Sequence, residues 1–220
     1  MLNRRKFLGS SLLSSAGLLF KRAPLNITDQ HNNKNNPFVI STWAPNVKAN
    51  AAAWTVLEKG GRALDAVETG VQVPEADPTD QSVGYGGLPD RDGKVTLDAC
   101  IMDETGNCGA VMFLENIMHP IKVARLVMEK TPHVQLAGEG ALQFALANGF
   151  KMENLLTPES EKAYKEWLKT SKYDPMTIPK LLEKNNQPGQ INNHDTIGML
   201  AMDAAGNLSG ACTTSGMAYK

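Results

Sequence analysis

Hydrophobic and polar positions follow a strand pattern and then two helix patterns from residue 37 onward. The run FVISTW starts apolar and ends in polar and aromatic residues, which is typical of a buried strand that opens onto a site. The next run, VKANAAAWTVLEKGG, contains helix formers with apolar residues three or four apart, and Gly60 and Gly61 end it. The run RALDAVETGVQV predicts a second helix, which we expect to end in the region of Pro74 and Pro78.

Three further helices are predicted in the middle of the chain. The first is PIKVARLVMEK, with Pro120 in its first turn, and the second is EGALQFALANG, which Gly149 ends. The third is PESEKAYKEWLKT, where Thr157 is the expected N-cap. Residues 171–193 are polar and contain three prolines, so we expect a mobile connection that ends just before Thr196.

Two segments of similar pattern predict two β-hairpins. VTLDACIMDETGNCGAVM and IGMLAMDAAGNLSGACTT both run through Met-Asp, two further residues and Gly-Asn into a strand that reaches Gly-Ala. Glycine and asparagine tolerate the positive φ that short hairpin turns require. The strands are apolar on both faces, so we expect sheets that are covered on both sides, and the predicted helices are enough to contribute to that cover. The predicted class is α/β, with stacked sheets between helix layers.

Composition and charge exclude some classes of partner. The 220 residues suffice for one domain with a substantial core. Twenty-two basic and 23 acidic side chains leave a formal charge of −1 with no long run of either sign, so no nucleic-acid partner is expected. The three cysteines, Cys100, Cys108 and Cys212, lack metal-site spacing and are expected to be small buried thiols, or an oxidised pair if the chain is exported.

The first residues predict export. Arg4 and Arg5 are followed by Phe and Leu and then by a weakly apolar stretch, so residues 1–23 resemble a twin-arginine signal. The apolar part is too short and too rich in serine for a transmembrane span, and no clear cleavage site follows, so removal and retention both stay open. Residues 24–36 are polar and predict a linker. The expected location is periplasmic or secreted.

The stretch HDTIGM, at the start of the last predicted hairpin, contains a candidate nucleophile. A threonine hydroxyl needs a base beside it, and cleavage of the peptide bond before Thr196 would create one, since the new α-amino group has a pKa of about 7.7 to 8. Asp195 places a carboxylate beside that bond, and Gly198 is expected to allow a close backbone approach. The alternative from pattern alone is a threonine that is simply a good strand former.

Four stretches together resemble the glycosylasparaginase, or aspartylglucosaminidase, family. They are HDTIGM, STW at residues 41–43, DPTDQSVGYGGLPDRDGKVTLDACIMD at 77–103 and GNLSGACTTSGMAYK at 206–220. The resemblance covers nearly everything after residue 37. It implies the N-terminal nucleophile hydrolase fold, a four-layer αββα sandwich, and a precursor that cuts itself into an α chain, residues 37–195, and a β chain that starts with residues 196–220.

The resemblance also implies roles for individual residues. Thr196 is the expected nucleophile, Asp195 precedes the cut, and His194 belongs to the same cleavage motif. Trp43 resembles the tryptophan that shapes the substrate pocket, and Thr214 resembles the threonine that assists the nucleophile. No metal or other cofactor is implied.

The implied activity is that of an amidohydrolase. It cleaves the amide bond between the sugar and the asparagine of glycosylasparagine, giving aspartate and a glycosylamine. The two processed chains are expected to remain partners, and a homodimer of processed units stays open. One alternative is an isoaspartyl peptidase or asparaginase of the same fold, although that branch usually has glycine rather than His-Asp before the threonine. The other alternative is an inactive, non-enzymatic remnant.

The sequence departs from the family pattern in two places. The family continues after TTSGMAYK with an arginine and an aspartate that hold the substrate, and later a Thr-Gly pair that forms an oxyanion hole. The present sequence stops at Lys220, so we expect a C-terminally truncated chain with an incomplete sandwich and an uncertain activity. STWAPN also differs from the usual sequence after the tryptophan.

Overall fold

A computed structural model describes residues 35–43, 46–171 and 196–220. Within these residues the strands are β1 Phe38–Ser41, β2 Thr96–Met102, β3 Cys108–Glu115, β4 Gln135–Ala137, β5 Thr196–Met202 and β6 Leu208–Thr214. The helices are α1 Val47–Leu57, α2 Ala63–Glu75, α3 Pro120–Lys130, α4 Gly138–Ala147 and α5 Pro158–Thr170. The signal segment, nearly all of the linker, almost all of the predicted mobile connection, His194 and Asp195 lie outside the described residues.

The helix boundaries follow the local signals in the sequence. Pro120 begins α3, and the Thr157 hydroxyl accepts a hydrogen bond from the Ser160 N–H at 3.3 Å and so caps α5. Gly149, with φ of 90°, follows the end of α4 as predicted. α2 ends at Glu75, inside the predicted region of Pro74 and Pro78, and Pro74 lies within its last turn. The Ala76 N–H bonds to the Gln72 carbonyl at 3.1 Å and completes that turn.

The six strands form one mixed sheet in the order β1-β5-β6-β2-β3-β4. Both predicted hairpins, β2–β3 and β5–β6, are confirmed, and β6 pairs with β2 between them. The shared Met-Asp-x-x-Gly-Asn pattern is explained by the turns, since Asp103 and Asp203 each accept the backbone N–H of the asparagine four residues later, at 2.9 and 3.0 Å. β4 was not predicted, and it pairs with β3 in parallel.

Helices α1 to α4 cover one face of the sheet. The core residues of this face include Val67 and Val71 of α2, Ile101 of β2 and Met199 of β5, all at most 2% exposed. β3 approaches α3 so closely that a Cβ on Gly109 would lie 2.1 Å from the carbonyl oxygen of Ala124. This contact requires glycine because no side-chain rearrangement can relieve a clash with backbone.

The opposite face of the sheet is apolar and exposed in the described part of the chain. Its side chains include Ile40, Met102, Met112, Leu200 and Leu208, which are between 47% and 57% exposed. The α/β class is confirmed. The described residues form one sheet with helices on one face, and the predicted cover of its other face is not found among them. All five predicted helices are present, and α1 to α4 pack on one face of the sheet.

The fifth helix packs on loops instead of on the sheet. The Ser160 hydroxyl donates to the Gly86 carbonyl, and the Tyr164 hydroxyl donates to the Arg91 carbonyl at 2.9 Å. The Tyr164 ring also stacks near that of Tyr219, with centroids 6.3 Å apart. α5 therefore ties the glycine-rich loop, GYGGLPD at residues 84–90, to the segment that follows β6. None of the described helices is long and apolar enough to cross a membrane.

Candidate active site

Thr196 is the first residue of β5, where the sheet brings three polar residues into one row. Its cross-strand partner on β6 is Thr214, and the partner of Thr214 on β2 is Asp98. Residues directly opposite each other in antiparallel strands point to the same face, with Cα atoms about 4.5 to 5.5 Å apart. Thr196, Thr214 and Asp98 therefore lie side by side on the face that the helices leave uncovered.

The carbonyl group of Thr196 is held by two donors from the segment after β1. The indole Nε1–H of Trp43 donates to this oxygen at 2.9 Å, and the hydroxyl of Thr42 lies 3.3 Å from it. Trp43 has φ of 67°, a left-handed conformation that is uncommon for a residue with a side chain, and its side chain is 44% exposed. A strained backbone that aims a side chain at the candidate nucleophile indicates a functional position.

Thr42 also holds Gly198, which lies two residues after Thr196 on β5. Its N–H donates to the Gly198 carbonyl at 2.9 Å, and its hydroxyl oxygen accepts the Gly198 N–H at 3.0 Å. A Cβ on Gly198 would lie 3.6 Å from the Thr42 methyl group, which is an ordinary van der Waals distance. The prediction that Gly198 is needed for a close backbone approach is therefore wrong in this structure.

The Thr214 side chain is oriented by the turn that follows β6. Its hydroxyl oxygen accepts the N–H of Gly216 at 2.9 Å. The adjacent Ser215 N–H donates to the Ser82 carbonyl at 2.8 Å, and a Cβ on Gly87 would lie 2.7 Å from the Ser215 Cβ. The glycine-rich loop thus packs against the end of β6, and Gly87 is required for that contact.

A buried carboxylate lies behind the site, between the sheet and α2. Glu75 is fully buried, and its oxygens accept hydrogen bonds from the Thr213 hydroxyl at 2.8 Å and the Ile121 N–H at 3.2 Å. His119 Nδ1 lies 3.0 Å from the other carboxylate oxygen. Burial raises the pKa of Glu75, while the hydrogen bonds from His119 and Thr213 oppose that rise. Glu75 therefore connects α2 and α3 to the strand that carries Thr214.

The structure brings together three of the five predicted site residues. Thr196, Thr214 and Trp43 lie on one sheet face and its edge, whereas His194 and Asp195 fall outside the described residues. No sequence motif predicted a role for Thr42, Asp98 or Glu75. Thr42 lies in STW and Asp98 lies in TLDAC, and both stretches belong to the resemblance. Their position in these stretches was the sequence feature that could have identified them. Nothing in the helical pattern around Glu75 distinguished it from a solvated carboxylate.

Comparison with known proteins identifies the family to which this chain belongs. The family described as Asparaginase matches residues 39–220. A protein of Elizabethkingia miricola named N(4)-(beta-N-acetylglucosaminyl)-L-asparaginase is 59% identical over 223 residues, which is 99% of this chain and 62% of the relative. Proteins of the same name from Rattus norvegicus and Mus musculus are 40% and 39% identical, covering 84% of this chain and 59% of each relative.

The family assignment also fixes the fold type. The present chain spans about three fifths of the length of these relatives, and its described residues provide one sheet with one layer of helices. The mixed α/β sheet agrees with the N-terminal nucleophile hydrolase fold that the resemblance implied. The match over residues 39–220 and the 59% identity show that this chain belongs to the Asparaginase family of amidohydrolases.

Proposed function

We propose that this chain carries the nucleophile of a self-processing amidohydrolase that hydrolyses glycosylasparagine. The observation that carries the proposal is the pair of donors from Trp43 and Thr42 on the Thr196 carbonyl, with Thr214 directly opposite Thr196. Such contacts fix the position of Thr196, and effective attack requires a fixed nucleophile. The names of the relatives support glycosylasparagine as the substrate.

The first stage of the proposed mechanism is self-cleavage. The Thr196 hydroxyl oxygen attacks the carbonyl carbon of Asp195, and the bond from that carbon to the Thr196 nitrogen breaks. The product is an ester on the threonine oxygen, and the nitrogen leaves as a free α-amino group. Water then hydrolyses the ester, so that Asp195 gains a carboxylate and Thr196 regains its hydroxyl. Trp43 and Thr42 restrain Thr196 from its carbonyl side during this step.

The second stage uses the new amino group as a base. With an unperturbed pKa of about 7.7 to 8, it can take the hydroxyl proton of Thr196 near neutral pH. The hydroxyl oxygen attacks the side-chain amide of the substrate asparagine, the glycosylamine leaves, and a β-aspartyl ester forms. Water hydrolyses this ester and releases aspartate. The bond from the Gly216 N–H orients the Thr214 hydroxyl opposite the nucleophile, where it can assist as a hydrogen-bond donor.

The sheet order supports the proposal that the two processed chains stay together. β5 and β6, which follow the cleavage point, are paired on one side with β1 and on the other with β2. A cut before Thr196 therefore leaves the new β-chain hairpin inserted between two α-chain strands, with its backbone hydrogen bonds in place. The homodimer of processed units stays a prediction.

A chimera supplies the most informative activity test. Residues 37–220 would replace the matching segment of the Elizabethkingia miricola relative, which provides the remaining length. We expect release of aspartate from glycosylasparagine, and loss of that activity in Thr196→Ala. Preferential hydrolysis of a β-aspartyl dipeptide would instead favour the isoaspartyl peptidase alternative. A folded chimera with neither activity would favour the inactive alternative.

We also propose that the chain is exported to the periplasm or secreted. The support is the pair Arg4 and Arg5 followed by a weakly apolar stretch. Replacement of both arginines by lysine keeps the charge but removes the twin-arginine pair, so the double variant should stay in the cytoplasm. Unchanged export of the double variant would contradict the twin-arginine assignment.

A further inference from the structure

Two cysteines face each other across neighbouring strands near the candidate active site. Cys100 of β2 and Cys212 of β6 are direct partners in the antiparallel register. Both are free thiols. Cys212 lies two residues before Thr214 on β6, so the cysteine pair is two residues along the strands from the pair of Thr196 and Thr214. Two residues correspond to about 6.7 Å along a strand, so the thiols are close neighbours of the proposed nucleophile.

The pairing geometry suits a covalent link. Opposite residues of an antiparallel pair have Cα atoms about 4.5 or 5.5 Å apart, and disulfides span Cα distances of about 4.4 to 6.8 Å. The two side chains point to the same face, where Cys100 is exposed and Cys212 is half-buried. Their neighbours in the same row are Gly198 on β5 and Ala110 on β3, which are small and leave room beside the sulfur atoms.

The two thiols differ in pKa. A hydrogen bond from the Cys212 thiol is the largest influence on Cys100 and lowers the pKa of Cys100 to about 6, while the pKa of Cys212 is raised by the same contact and by burial. A lowered pKa favours the thiolate form of Cys100, which is the reactive form of a cysteine. A thiolate next to a second thiol is the arrangement from which disulfides form.

The two cysteines lie on opposite sides of the proposed cleavage point. Cys100 precedes the bond between Asp195 and Thr196, and Cys212 follows it. We propose that Cys100 and Cys212 form a cross-strand disulfide that covalently joins the two chains produced by cleavage before Thr196. The joining of two chains rests on the proposed self-cleavage, whereas the disulfide itself depends only on the pairing of β2 with β6.

The oxidation requires a disulfide as oxidant, for which oxidised glutathione serves. The Cys100 thiolate attacks one sulfur of oxidised glutathione, forming a mixed disulfide and releasing one glutathione thiolate. The Cys212 thiol loses its proton and attacks the Cys100 sulfur, which releases the second glutathione. Two protein thiols are thereby oxidised, and one glutathione disulfide is reduced to two glutathione thiols. An exported chain meets conditions in which such a disulfide persists.

The test counts thiols in the full 220-residue chain after treatment with oxidised glutathione. The protein would be denatured, alkylated with a polymer-linked maleimide, and digested for peptide mapping without reductant. We expect loss of two of the three thiols and a linked peptide pair containing Cys100 and Cys212. Cys100→Ser and Cys212→Ser should each abolish the linked pair. Cys108→Ser is the matched control, since Cys108 lies on β3 opposite Met102, and it should leave the pair intact.

Thr196→Ala separates this proposal from the proposed self-cleavage. If both proposals hold, the unchanged protein shows two fragments only after reduction, and the alanine variant shows one uncut chain with the same internal disulfide. If only self-cleavage fails, both proteins stay uncut and still lose two thiols. Any of three results would overturn the disulfide proposal. They are three free thiols after oxidation of the folded protein, a disulfide that includes Cys108, and a Cys100–Cys212 disulfide that forms no faster in the folded protein than in denaturing urea.

Discussion

The indole nitrogen of Trp43 lies 2.9 Å from the carbonyl oxygen of Thr196, although 153 positions separate the two residues in the sequence. The contact crosses from the end of β1 to the start of β5, two adjacent strands that pair antiparallel. A carbonyl oxygen that already accepts this bond resists rotation of the residue that carries the proposed nucleophile. The tryptophan assigned by resemblance to the substrate pocket therefore also positions Thr196.

Trp43→Phe should slow self-cleavage without abolishing it. The substitution keeps an aromatic ring but removes the N–H that donates to Thr196, and one hydrogen bond contributes about 0.5 to 1.5 kcal/mol. If the whole free energy of this hydrogen bond stabilises the transition state, its loss lowers the rate of self-cleavage by about 2- to 13-fold. Time-resolved gel analysis of the chimera would measure the rate. Trp54→Phe, on the exposed side of α1, is the matched control and should leave the rate unchanged.

Glu75 should make stability depend on pH with a defined sign. Burial raises its pKa above the ordinary value of 4.5, so the folded protein binds this proton more tightly than the unfolded chain does. The contribution of this proton to the free energy of unfolding is fully present below pH 4.5, and it is lost as the pH rises through the folded-state pKa of Glu75. Urea unfolding of the parent and of Glu75→Gln would measure this contribution. The stability advantage of the parent should shrink from acidic to neutral pH, and an advantage that grows would contradict the raised pKa.

Removal of the Glu75 carboxyl group should cost more than its neutralisation. Glu75→Ala leaves the Ile121 N–H and the Thr213 hydroxyl without their buried acceptor, and each unsatisfied group costs about 1 to 3 kcal/mol. Glu75→Gln retains one oxygen that can accept from both. We therefore expect the free energy of unfolding at neutral pH to fall by at least about 2 kcal/mol more for alanine than for glutamine. Equal losses for the two variants would show that the hydrogen bonds contribute little.

Gly109 and Gly140 should respond oppositely to alanine. A Cβ on Gly109 would clash with the Ala124 carbonyl, so Gly109→Ala should destabilise the fold by about 1 to 3 kcal/mol. Gly140 lies in α4 with no atom within 4 Å of its would-be Cβ, so Gly140→Ala should stabilise the fold by about 0.5 to 1 kcal/mol. Thermal unfolding of the two variants measures both changes in stability. A Gly109→Ala variant that is as stable as the parent would contradict the packing of β3 on α3.

Local signals in the sequence predicted most of the elements. The capping threonine at Thr157, the proline at Pro120 and the two Met-Asp-x-x-Gly-Asn turns act over a few residues, so the sequence pattern contains them. β4 is three residues long and carries no strand pattern of its own, since its pairing with β3 defines it. The placement of four helices on one face depends on long-range packing, which periodicity does not specify.

The site was predictable only through resemblance. Thr196, Trp43 and Thr214 were assigned because their surrounding motifs match a family, and spacing alone would have left Thr196 as an ordinary strand residue. Thr42 and Asp98 join the site through strand register and through the turn after β1. The role of Glu75 arises from contacts with two other elements, α3 and β6, which a helical pattern does not reveal.

We propose that Thr196 cuts the chain before itself and then serves as the catalytic nucleophile. Intact-mass spectrometry of the chimera tests this most directly. We expect two polypeptides, the second beginning at Thr196. Thr196→Ala should give one uncut polypeptide, and Thr196→Ser should give partial cleavage. An alanine variant that still splits between residues 195 and 196, or an uncut chimera that hydrolyses glycosylasparagine, would contradict the account.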